Sequence, residues 1–367
     1  MSSKALDLLA TVIDPELRFP ITDLGMIGEL TESQDEVAVE IKLTISGCPA
    51  AQSIERDVRE ALAKGFSKVS VQMLTMTREE RQALTTKLRG NKPMKFNQFA
   101  QKENLTRVIF VGSGKGGVGK SSITANLAVA LASFGHKVGL LDADIFGYSI
   151  PGQLGITTTP TKVDELMLPP IAYDVKVISI GFFVADNKPV AWRGPMLHRA
   201  IEQFLTDVYW GDLDFLLVDL PPGTGDVAIS LGQLLPKAES LVITTPQSAA
   251  ASVAERSGAI GLQTGQRILG VVENMSHLDN LGEKLYIFGQ GGGDSVASRL
   301  QELSGEEVKL LAKLPLSENL RIGSDLGVPV VLSEPDSAIS LAILELARFI
   351  AQKPRGLSGK SLGLKPV

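Results

Sequence analysis

Residues 108–122 read VIFVGSGKGGVGKSS: an apolar run that stops at glycine, a glycine-rich turn, and the opening of the helical stretch SSITANLAVALASFG. Gly114 to Ser121 fit the pattern G-x-x-x-x-G-K-[ST], and they lie between a strand and a helix, where that pattern has structural meaning. Glycines let successive backbone N–H groups curl around phosphate oxygens, and the helix N-terminus adds the positive end of its dipole. The loop expected to hold a nucleotide is therefore Gly114, Lys115, Gly116, Gly117, Val118, Gly119, Lys120 and Ser121, with Ser122 beside it. Lys120 is expected at the β- and γ-phosphates and the Ser121 hydroxyl on Mg²⁺. One lysine serves this purpose, so Lys115 is a second cation that the loop itself does not require.

Working outward, RVIFVG is one of several short apolar runs, with KVGLLDAD, VKVISIG, FLLVDLPP, SLVITTP and RILGVVENM. Strands this uniformly apolar are covered on both faces. The expected fold is α/β: a P-loop NTPase with a mostly parallel sheet and helices on both faces, preceded by a small α+β domain. Carboxylates at strand C-termini in such a sheet lie at the ligand crevice. Asp219, ending FLLVDL, is expected to hold the magnesium through water, and Asp144 to orient the attacking water with Asp142 in support. Asn274, ending RILGVVENM, carries an amide whose donor and acceptor match adenine N6 and N7. No guanine-reading N-K-x-D stands there, which favours ATP over GTP.

Residues 1–80 read as the small α+β domain, with ALDLLATVIDPEL as a helix running into a turn, EVAVEIKLTI and KVSVQML as strands, and PAAQSIERDVREALAKG as an amphipathic helix between them. Residues 81–105 read as a polar linker, 106–352 as the ATPase domain and 353–367 as a disordered tail. GQGGG at 289–293 reads as a flexible loop. The 367 residues carry a net charge of −5 with a pI near 5.5, which argues against a broad nucleic-acid surface. The N-terminus lacks the pattern of a signal peptide and no apolar run is long enough to span a bilayer, so a cytoplasmic protein without nucleic-acid or membrane partners is expected. Cys48 is the single cysteine, which excludes an intrachain disulfide.

GKGGVGKSS resembles the deviant P-loop shared by nitrogenase iron protein, the septum-positioning and chromosome-partitioning ATPases, and the Mrp/ApbC proteins. In that group the extra lysine reaches across a two-fold homodimer to the partner's nucleotide; the resemblance gives that role to Lys115, a cation supplied in trans to the transferring phosphoryl group. The runs Asp142–Pro151, Trp192–Met196, Asp219–Asp226 and Val272–Ser276 resemble the Mrp/ApbC/Nbp branch, the iron–sulfur cluster carrier ATPases. Asp14-Pro15-Glu16, Asp23-Leu24-Gly25 and Thr44–Pro49 are similar to the small metal–sulfur-cluster assembly domain, a combination typical of bacterial Mrp proteins and the plastid cluster scaffold. The resemblance implies a slow ATPase that binds a cluster, a [4Fe-4S] by expectation, and hands it to iron–sulfur apoproteins.

The chain departs from that family at one place. Many relatives carry C-x-x-C after the Asn-Met-Ser, and here the equivalent positions hold Asn280 and Glu283. The usual thiolate cage is therefore missing. Cys48 is the remaining thiolate candidate, as a cluster ligand in an open turn or as a small buried hydrophobe. An ATP-switched adaptor without a cluster and a membrane- or DNA-positioning ATPase stay open as alternatives.

Overall fold

Alternation decides the first unit. In the computed structural model, which describes residues 3–90, 95–145, 147–184, 194–280 and 282–352, the chain divides into two units. The first begins with the short helix α1 (Lys4–Leu9), followed by strands β1 (Ile27–Glu32) and β2 (Glu36–Leu43). In β2 Val37, Val39, Ile41 and Leu43 are buried while the residues between them face outward, the period-two signature of a half-covered sheet. Helix α2 (Ala51–Ala63) buries Ile54, Val58, Ala61 and Leu62, one helical face, and crosses to β3 (Lys68–Thr75), which pairs parallel with β2. β1 pairs antiparallel with β2 to complete three strands. This strand was not anticipated, because IGELTE carries too little apolar alternation.

The first part of the expected linker is helical. Residues Arg78–Arg89 form helix α3, started by a reciprocal capping box between Thr77 and Glu80 and fixed at that end by a Lys42–Glu80 ion pair of 2.5 Å. Only Leu84 and Thr85 of α3 are fully buried, with Leu88 packed at the edge of the core, so the apolar stripe is too thin to register as periodicity. The T-x-x-E signal was nevertheless in the sequence. Further on, Phe99 lies in a short 3₁₀ turn and meets the Trp210 ring edge-on within the second unit.

The second unit is built on β4 (Arg107–Ser113), the strand leading into the glycine loop, followed by helix α4 (Lys120–Ser133), β5 (Val138–Asp142) and the short helix α5 (Ile150–Gln153). The chain then contributes a hairpin, β6 (Thr161–Val163) and β7 (Leu166–Leu168), to the first unit. It resumes the large sheet with β8 (Ile171–Ala172), β9 (Val175–Ser179), β10 (Phe215–Asp219), β11 (Glu239–Thr244) and β12 (Arg267–Glu273). A small hairpin of β13 (Leu278–Asn280) and β14 (Glu283–Leu285) follows, then β15 (Leu310–Lys313) at the sheet edge. The sheet order is β15-β12-β11-β4-β10-β5-β9-β8, and every pairing from β15 to β9 is parallel. β4 thus lies near the middle, where the loop after it opens between β10 and β11.

Every residue of α4 from Ile123 to Ala132 is buried, the polar Thr124 and Asn126 included: this helix is enclosed by the sheet and by the helix Ala338–Gln352. Among the described residues no helix is long and apolar enough to cross a membrane. Trp192 and Arg193, part of one family-like motif, and the expected tail at 353–367 lie outside the described residues.

Candidate active site

Parallel register brings the carboxylates together. Asp219 at the end of β10 is level with Val111 of β4 on one side and Asp142 of β5 on the other, so two acids stand side by side just below the glycine loop. The loop itself is compressed. Gly119 has φ +81°, and a Cβ there would sit 2.3 Å from the Asn274 amide nitrogen; a Cβ on Gly114 would sit 2.3 Å from the backbone at Val253 and Ala254. Only glycine meets both conditions of conformation and space at 119. Ser113 Oγ donates to the Lys115 carbonyl at 3.0 Å and steadies the first half of the turn.

Asp219 is fully buried and is the hub. Its Oδ2 accepts from Lys120 Nζ at 2.5 Å and from Ser121 Oγ at 2.6 Å, and its Oδ1 lies 2.8 Å from the Thr124 hydroxyl. Lys120 Nζ is also 3.1 Å from Ser121 Oγ. Thr124, which was not among the expected site residues, lies one turn beyond Lys120 on the same helix face and joins Lys120 and Ser121 at Asp219. Asp142 is equally buried. It accepts from Ser179 Oγ at 2.9 Å, and burial, with the Asp219 charge next, pushes its carboxyl up to about 7.

A cavity of about 710 Å³ opens over this cluster, lined on one side by the loop from Lys115 to Ser122 and on another by Asp144, Ser149 and Gln153. Pro221, Pro222 and Asp226 line it from the segment after β10. Its size falls in the ordinary range of small-molecule sites. Asp144 is buried and lines this cavity, and its Oδ1 accepts from the Gly147 N–H at 3.0 Å. Lys115 is exposed at the mouth.

Asn274, expected to read adenine, directly follows β12 and lies against the glycine loop. It is buried, and its amide nitrogen donates to the Val118 carbonyl at 2.9 Å, so it clasps the underside of the loop. The GQGGG segment is also more ordered than a flexible loop. Gly293 N–H donates to the buried Glu273 carboxylate at 2.7 Å at the start of a helix spanning Gly292–Ser304, and Gly292 is pressed against the Thr245 and Pro246 carbonyls.

Cys48 lies in the first unit and is buried, not in an open turn. Its Sγ is 3.9 Å from Glu16 Oε2, and Glu16 Oε1 accepts from Thr161 Oγ1 at 2.9 Å. Burial first, and the neighbouring Glu16 and Asp14 carboxylates after it, push the Cys48 thiol up to about 11. Asn280 and Glu283, at the positions of the missing cysteines, face each other across the β13–β14 turn. His277 is engaged locally, 2.8 Å from Ser276 Oγ and 3.4 Å from Asp279. Among the described residues no group of three His, Cys, Asp or Glu side chains is arranged to hold a metal ion.

A central strand, a glycine loop on a helix N-terminus, a buried Lys–Ser–Asp cluster and an open cavity above it define a P-loop nucleoside triphosphatase. Comparison with known proteins carries this further. The chain belongs to the NUBPL iron-transfer P-loop NTPase family, whose model matches residues 104–351, and an iron-sulfur cluster assembly protein model matches residues 3–73. An iron-sulfur cluster carrier protein of Mycobacterium tuberculosis is 56% identical over 98% of this chain and 95% of its own length. One of Bacillus subtilis is 38% identical over 85% of this chain and 87% of its own. A solved nucleotide-binding protein from Archaeoglobus fulgidus, in complex with ADP, is 36% identical with a TM-score of 0.54, covering 64% of this chain and 95% of that one. The resemblance read from the motifs, the fold class and the ATPase class are all borne out.

Proposed function

We infer that the protein is an ATP-hydrolysing iron–sulfur cluster carrier that passes clusters to apoprotein clients. The observation that carries this is the union, in one chain, of a complete phosphate-binding loop over Asp219 with a cluster-assembly domain that contains the only thiol. The ATP phosphates lie along the N–H groups of Gly114–Ser122, and Lys120 exchanges the Asp219 carboxylate for phosphate oxygens when nucleotide enters. Ser121 and Asp219 suit Mg²⁺: both are hard oxygen donors, they converge within 2.6 Å, and Ser121 lines the cavity. Bound there, the ion supplies charge neutralisation at the β- and γ-phosphates. Asp144 positions the attacking water from the cavity wall.

Lys115 projects from the mouth with no duty inside its own loop, and we assign it to the nucleotide of a second copy in a homodimer. The cluster is cargo, and a [4Fe-4S] is the expected type. Its ligand set is incomplete within one chain, since Cys48 is the sole thiol and is held protonated among carboxylates. Two Cys48 thiols from a dimer need a client cysteine or a small thiol to complete four. We place the protein in the cytoplasm, in keeping with an unpaired thiol.

A second reading has its own support in Asn280 and Glu283, which stand where a C-x-x-C would be: an ATP-switched adaptor that holds no cluster. Anaerobic reconstitution with iron and sulfide separates the two. The carrier reading expects a bound chromophore that Cys48→Ala abolishes. Iron retained by Cys48→Ala would remove Cys48 from the ligand set, and no iron in either protein would favour the adaptor.

A further inference from the structure

The family models divide the chain where the fold does not. Residues 158–171 and 207–209 fall inside the span matched as a nucleotide domain, yet they fold into the first unit. Val163, Leu166 and Leu168 of the β6–β7 hairpin are buried in the same core as Val37, Ile41, Ile54 and Leu62 of the assembly domain. Polar contacts pin the hairpin there as well. Arg81 approaches Asp164 at 3.6 Å, Arg89 donates to the Glu165 carbonyl at 3.0 Å, and Met167 exchanges backbone hydrogen bonds with Asp207 and Tyr209.

At its first residue the hairpin reaches the only thiol. Thr161, 4% exposed, donates to Glu16 Oε1, and the other oxygen of that carboxylate faces Cys48 Sγ. The same stretch of chain begins at the nucleotide. Asp144, Ile145, Gly147, Ser149 and Gln153 line the cavity, and only residues 154–157 separate Gln153 from the start of the hairpin segment. A tether of four residues spans at most about 14 Å when fully extended.

We propose that residues 158–171 are a strap through which occupancy of the nucleotide cavity is transmitted to the assembly domain, with Thr161 as the positioning residue that holds Glu16 against Cys48. Nucleotide draws on the 144–153 wall, the strap shifts, Thr161 loosens its hold on Glu16, and the thiol becomes more accessible. The inference rests on nucleotide binding at the loop, and does not require that a cluster be bound.

With a single cysteine in the chain, thiol labelling reads this directly. The full-length protein is labelled with N-ethylmaleimide, unliganded and with Mg-ATPγS, alongside a separate measurement of ATPγS binding. Wild type is expected to label at least threefold faster with nucleotide. Insertion of Gly-Ser-Gly-Ser between Thr157 and Thr158 slackens the tether; it is expected to keep ATP hydrolysis and the unliganded labelling rate but to lose the nucleotide response. Thr161→Val is expected to label fast in both states, and Thr161→Ser to behave as wild type. Wild-type protein that binds Mg-ATPγS but labels at an unchanged or lower rate overturns the strap, as does an insertion variant that still responds. Failure to bind Mg-ATPγS at all would end the nucleotide reading together with this one.

Discussion

Thr124→Val tests the hub of the site at a hydroxyl that meets Asp219. Thr124 is 0% exposed, and its hydroxyl lies 2.8 Å from Asp219 Oδ1, the only donor to that oxygen among the described residues. Its proton is shared with the Lys120 carbonyl, also at 2.8 Å. Valine keeps the branched shape and removes the donor, leaving a buried carboxylate oxygen short of a partner. Such losses cost about 1–3 kcal/mol, and about 2 kcal/mol is expected here because Oδ2 keeps its two donors. That is roughly a thirtyfold drop in the folding constant of the nucleotide unit. Urea unfolding followed by tryptophan fluorescence reads it, since Trp210 is buried in that unit. The same change frees Asp219 to rotate, so the Mg²⁺ concentration for half-maximal ATP hydrolysis is expected to rise about tenfold, equivalent to about 1.4 kcal/mol. Thr124→Ser loses one methyl, worth about 1 kcal/mol, and keeps the donor and the wild-type Mg²⁺ requirement. If the Val and Ser variants share one Mg²⁺ requirement, the hydroxyl does not orient Asp219 and the reasoning fails.

Other outcomes follow from the same geometry. Gly119→Ala meets both a positive φ and the Asn274 amide at 2.3 Å, so it is expected to abolish binding of a fluorescent ATP analogue, whereas Gly225→Ala, with open space around its Cβ, should retain it. Burial pushes the Cys48 thiol up to about 11, so unliganded alkylation at pH 8 should run more than about tenfold slower than that of an exposed thiol. Its rate should climb with pH past 9, and Glu16→Gln should accelerate it; a plateau near pH 9 would contradict the burial argument. Asp142 keeps its proton in the folded state up to about pH 7 while the unfolded chain releases it near 3.8. Its contribution is therefore fully present below about pH 4 and declines as pH rises through 7. Asp142→Asn should flatten that decline between pH 5 and pH 8 in urea titrations, and an unchanged slope would count against it.

The glycine loop was legible because its function constrains local sequence: phosphate needs consecutive N–H groups, those need glycine, and the helix must start at Lys120. The alternating residues of β2 and the apolar runs of β4, β10 and β11 likewise write their burial into residue type. Helix α3 was also written there, in its capping box, but its thin apolar face hid it. What sequence could not supply was distance across the fold. Asp219 and Asp142 lie 77 positions apart and become neighbours only through parallel register. Asn274 follows a strand, and only the fold brings its amide onto the Val118 carbonyl, 156 residues away. Cys48 sits in a glycine–proline turn that reads as open, and becomes a weakly acidic thiol because the core of the first unit buries it and the Glu16 and Asp14 carboxylates stand beside it. Sequence fixes what a residue can do within a turn or two of itself; burial, charge environment and partners are properties of the space that distant segments enclose.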